Sequence, residues 1–121
     1  MATLLVNAGK AIVTNRIKGS GTEPVYVAYG TGAGTTAAAD TTLFTETGTR
    51  VSGTSTQQTT SVTNDTYQVV GTQTAGGTLA ITNAGLFDAS TSGNLFVKGD
   101  FSTINLSSGD SIQFTFKTQF S

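Results

Sequence analysis

The most regular pattern of hydrophobic and polar positions lies at the end of the chain. Over residues 111–120, Ile112, Phe114, Phe116 and Phe120 take one parity while Gln113, Thr115, Lys117 and Gln119 take the other. Strand side chains alternate between two faces, so this pattern predicts a half-buried strand. Just before it, Ile104 and Leu106 alternate over a shorter stretch, and Ser108-Gly109-Asp110 supplies turn chemistry. These two segments are expected to pair as an antiparallel hairpin.

A second hairpin is expected from residues 67–74 and 78–82, joined by Ala75-Gly76-Gly77, because glycine tolerates the positive φ of a tight turn. Residues 94–101 read as a strand that follows a small-residue loop. An early strand begins at Pro24, with Val25, Val27 and Tyr29 sharing a face. Residues 50–63 have β-propensity but few apolar side chains, which places them at a sheet edge or against a partner molecule. Helical signal is sparse. Asn7 is a candidate cap for a short helix with Ala8, Ala11 and Ile12 on one side and Gly19 at its end, although Val13, Thr14 and Ile17 fit an extended chain equally well. Asp40 is a candidate start for a second helical turn that directs Leu43 and Phe44 inward. Neither segment has the basic face of a nucleic-acid recognition helix.

These elements describe an all-β protein, an antiparallel β-sandwich or small jelly-roll-like domain of about seven strands with at most one or two short helices. Length allows one core, and the division expected is an N-terminal arm or short helix over residues 1–18 and a single sandwich over 19–121.

Composition narrows the function. Charged residues are 11% of the chain and the net charge is -1, so no basic field is available for a phosphate backbone or an anionic membrane. The absence of Cys and His removes thiol nucleophiles, Ser/His and Cys/His catalysis and nearly every zinc site. The apolar run at residues 4–6 is far too short for a signal peptide, so synthesis in a cytoplasm is expected.

Three motifs invite chemistry. The glycine-rich stretch over residues 29–36 lacks the lysine and the spacing of a phosphate loop, and reads better as a flexible surface loop that orders on contact with a neighbouring subunit. Lys98-Gly99-Asp100 resembles an adhesion tripeptide but lies within a strand, where a turn or bulge is the simpler account. Asp40, Glu46, Asp65, Asp88, Asp100 and Asp110 are candidate acids and bases for glycoside chemistry, yet most sit beside residues with which Asp makes local turn hydrogen bonds. Nothing calls for a cofactor or a metal ion, and the chain is expected not to be an enzyme. Tyr26, Tyr29 and Tyr67 are the tyrosines a carbohydrate-binding module could use, though core packing is the simpler account of Tyr29 and Tyr67.

The segment ITNAGLFDASTSGNLFVKGDF, residues 81–101, combines apolar Ile81, Leu86 and Phe87 with Gly85, which permits a sharp change of direction, and Asp88, which can accept backbone hydrogen bonds in the loop that follows. It resembles a motif recurring in virion proteins of tailed bacteriophages, in tail-fibre and baseplate-associated domains and in small structural proteins. LSSGDSIQFTFKTQFS resembles the closing strand of the same proteins, and residues 16–46 resemble their early half, so the likeness runs through most of the chain from Asn15 onward. The resemblance implies a non-enzymatic virion β-domain. Without a repetitive shaft, and with neutral Thr-rich faces suited to packing on a shell, the expected role is capsid decoration: a cement protein that binds the major capsid protein on the outer shell between capsomers as a homo-trimer and stabilises the mature head. A tail, fibre-attachment or baseplate component is the alternative, and a carbohydrate-binding module is the alternative from another class. Thr3, Leu4, Leu5 and Val6, together with Gly32, Ala33, Gly34 and Thr35, are the candidate partner contacts.

Overall fold

The computed structural model describes residues 2–121. Two antiparallel sheets and one helix are formed in the order β1 (Ala2–Leu5), α1 (Asn7–Lys18), β2 (Tyr26–Gly30), β3 (Glu46–Ser52), β4 (Thr54–Gln58), β5 (Thr66–Thr74), β6 (Leu79–Phe87), β7 (Leu95–Leu106) and β8 (Ser111–Gln119). The five-stranded sheet runs β1-β7-β6-β2-β3 and the three-stranded sheet runs β4-β5-β8. The all-β sandwich is as expected, and the weakly apolar segment over residues 50–63 supplies edge strands, with β3 ending one sheet and β4 the other.

Register fixes which side chains face the other sheet. Val27 pairs with Leu86, Leu86 with Val97 and Val97 with Leu5, so these four point between the sheets. There they meet Val69 and Phe116 from the three-stranded sheet in one apolar core. At Phe96 the ladder shifts by a residue, so Phe96 joins the same core and its ring meets Tyr67 edge-on at 5.9 Å. The opposite face of the large sheet is also covered, by a second cluster of Val6, Ala28, Leu43, Phe87 and Leu95. Burial on both faces is why β2, β6 and the start of β7 read as apolar runs rather than alternations.

Both expected hairpins are absent. β5 and β6 belong to different sheets, as do β7 and β8, so residues 75–78 and 107–110 carry the chain across the sandwich. Neither Gly76 nor Gly77 takes a positive φ. The residues read as two strands around Phe101 form the single strand β7, with an irregularity where one residue of β6 faces three of β7. Gly85 is not a corner: it lies in regular β6, and the change of direction follows Phe87, where Asp88 accepts the Asn94 amide at 2.7 Å.

The N-terminal residues are strand and helix rather than a projecting arm, since β1 pairs with β7 and α1 packs against β7. Val6, not Asn7, occupies the N-cap position and offers no side-chain cap. Gly9 and Ile12 form the buried side, while Gly19 ends the helix at φ 93°. Residues 40–45 form a bend and a turn leading into β3, not a second helix. Packing requires glycine at several positions, Gly71 and Gly9 among them. A Cβ at Gly71 would stand 2.6 Å from a methyl of Val27 across the sandwich, and one at Gly9 would collide with the Phe96 carbonyl oxygen. Gly9→Ala is therefore expected to destabilise the fold by about 1–3 kcal/mol, the usual cost of overpacking. Gly76→Ala, where a Cβ meets nothing, should leave stability unchanged or slightly raised. Denaturant midpoints of the two variants check this.

Candidate partner-binding surfaces

Lys98, whose side chain has no exposed surface, points from the middle of β7 to the outer face of the large sheet. Its ammonium donates to Asp40 Oδ2 and to the Thr42 carbonyl, each at 2.9 Å, and lies 3.3 Å from the centre of the Phe44 ring. A buried ammonium without such partners would cost several kcal/mol, so the loop over residues 31–45 is held where it can supply them. Buried Asn83 adds two bonds to that loop, accepting the Phe44 amide at 3.0 Å and donating to the Phe44 carbonyl at 3.1 Å. The Thr82 hydroxyl donates to the Gly32 carbonyl, and the Thr36 amide donates to Asp100 Oδ1 at 3.1 Å. Farther along the sheet, Arg50 forks onto Glu46 at 2.8 and 3.0 Å, donates to the Ala89 and Ser92 carbonyls and covers the Phe87 ring at 3.5 Å.

The glycine-rich loop is thus ordered by its own chain, which corrects the expectation of a flexible loop awaiting a neighbour. Gly32 is half-buried, Ala33, Gly34 and Thr35 are exposed, and Gly34 lies against the Phe44 ring. Of the N-terminal candidates, Thr3 and Leu5 face between the sheets and Leu4 faces outward, 37% exposed. Val6 is fully buried in the second cluster. The Asn7 amide donates to the Ala38 carbonyl at 2.8 Å, so the two candidate segments adjoin at one end of the outer face. They do not form one continuous surface, because Thr3 opens to the other side of the sheet.

The carboxylates hold structure in place. Asp65 accepts the Thr60, Ser61 and Val62 amides at 2.8–3.0 Å, and Asp110 accepts the Ser107 amide at 2.8 Å. Glu23, not singled out in the sequence, accepts the Tyr67 hydroxyl at 2.9 Å. Burial, then that bond, pushes the Tyr67 hydroxyl well above its ordinary range. Tyr29 is buried, so the tyrosines form no exposed row. Nothing local announces the Glu23–Tyr67 contact, which joins residues 44 positions apart.

The four edges differ in how well they are closed to further pairing. β1 has only four residues, and β3 is bent by an irregularity at Gly48, φ 74°, and carries the Glu46–Arg50 ion pair. Both are common guards against edge-to-edge association. β4 is an uncharged Thr-Ser-Thr-Gln-Gln run, and β8 offers nine residues with Lys117 as its one charge. The three-stranded sheet therefore presents the open edges.

Residues 7–119 match the family described as podophage GP4 fiber I protein gp80. The chain belongs to that family. No curated protein and no solved structure gives a match. Membership makes the chain a structural protein of the bacteriophage virion, as the resemblance of the GLFDA segment and the closing strand implies. The family match spans the helix, the strands β2 to β8 and the pinned outer loop alike.

Acid tests the pinning. The Ala37 amide and then the Lys98 ammonium hold the Asp40 carboxyl below its ordinary 3.8. The Val62 amide, followed by those of Thr60 and Ser61, lowers Asp65 further, and the Thr36 hydroxyl and amide lower Asp100. A depressed folded pKa adds stability above the unfolded value that is lost as pH falls through the folded one. Denaturant midpoints should therefore be flat above about pH 5 and fall steadily below about pH 4, with a smaller fall in Asp65→Asn.

Proposed function

We propose that the chain is a structural component of the tail-fibre apparatus, acting without catalysis by holding other virion proteins in place. What carries this reading is the family match, whose description names a fibre protein over residues 7–119. The non-catalytic part is supported by the carboxylates. Asp40, Glu46, Asp65, Asp88, Asp100 and Asp110 each already tie down a loop or strand, so acid and base work would cost the fold a contact. A homo-trimer, the closed assembly implied by the phage resemblance, belongs to the same proposal.

Capsid decoration, with the major capsid protein as partner and the outer shell as location, draws on the neutral Thr-rich faces, and these suit a fibre contact equally. Stoichiometry separates the two. Quantitative mass spectrometry of purified virions should give a few copies of this chain per hundred of the major capsid protein, as the low-order symmetry of a tail organelle requires. A ratio near one to one would move the chain to the shell, and absence from the particle would remove both locations and favour the carbohydrate-binding alternative.

A further inference from the structure

The two sheets are unequal, and the inequality leaves a groove. β8 is the last strand of the small sheet, while β7 and β1 of the large sheet contribute to the floor beside it. An open groove of about 540 Å³ runs there, lined by Phe114, Thr115 and Lys117 of β8 and by Thr3, Gly99 and Phe101 of β1 and β7. Phe114 and Thr115 belong to opposite faces of β8, so the groove follows the edge of the strand rather than lying wholly beneath it. At that edge the backbone of β8 has no neighbouring strand among the described residues.

We propose that this groove accepts an extended segment of another protein as a fourth strand beside β8, with apolar residues at alternate positions and an acidic residue near Lys117. Edge backbone groups supply the hydrogen bonds of such an addition, and pockets under alternate side chains supply its selectivity. The apolar rows match that alternation. Phe101 lies 6.4 Å from Phe114 and Phe114 6.1 Å from Phe116, ring centre to ring centre, and Ile104 adds a side chain 39% exposed. Lys117 makes no ion pair among the described residues, whereas Lys98 and Arg50 both do, so a carboxylate on the incoming strand finds an uncommitted cation. A lone strand suits the site better than the β8 of a second copy. That β8 would bring its own large sheet toward the space where β1 and β7 already lie. This inference rests on the groove and not on the fibre assignment.

The probe is a blocked peptide, Thr-Val-Asp-Val-Thr-Val-Thr, titrated into the full isotope-labelled chain and followed by amide chemical shifts. Saturable shifts are expected along residues 111–119 and at Thr3, Gly99 and Phe101, and should vanish when the three valines become serines. Ile104→Asp should weaken binding at least tenfold with its thermal midpoint little changed, and Lys117→Ala should abolish any preference for the Asp-containing peptide over an Asn version. No shift at millimolar peptide, or shifts confined to the outer face, would overturn the proposal. So would β8 shifts that depend on protein concentration without peptide, because a second copy would then be the occupant.

Discussion

A fully buried ammonium in the middle of a sheet is the constraint on which the outer half of this molecule depends. Lys98 needs oxygen ligands in a place that water does not reach, and the loop over residues 31–45 provides them through Asp40 and Thr42 while Phe44 covers the charge. Once that loop is down, Leu43 joins Phe87, Leu95, Ala28 and Val6, and the large sheet becomes buried on both faces. Asn83 and Asp100, which pair with each other across β6 and β7, fasten the loop two residues along the sheet from the lysine. A cation thus organises an apolar cover, and the loop's glycine content reflects close passage over Phe44 and Asn83 rather than freedom to move.

Much of the sandwich was legible because alternation reports faces. The closing strand, the edge character of residues 50–63 and the loop bond of Asp88 all follow from local pattern. Alternation does not report partners. A strand with one apolar face looks the same whether it turns back into its own sheet or crosses to the opposite one, so alternation alone suggests hairpins of β5 with β6 and β7 with β8 that the fold does not make. Lys98 was hidden for a related reason. Alternation places it opposite Val97, but only a distant loop makes that face an interior. The Tyr67–Glu23 bond is equally non-local, whereas the short turn chemistry of Asp65 and Asp110 needed only neighbouring residues.

The two faces of the sandwich consequently differ in what they offer a partner. On the outer side of the large sheet, polar bonds and two cations over aromatic rings are already satisfied within the chain. On the other side, a three-stranded sheet ends in β8 next to a five-stranded one, with an apolar groove and an unpaired edge. For a virion structural protein built with so little charge, backbone pairing and apolar contact are the available means of attachment.

Residue-resolved amide hydrogen exchange tests this division most directly. The account predicts that Gly32, Thr36, Ala37 and Phe44, whose amides are bonded within the fold, exchange slowly, while alternate amides along the outer edge of β8 exchange quickly. Fast exchange throughout the loop together with uniform protection along β8 would contradict it.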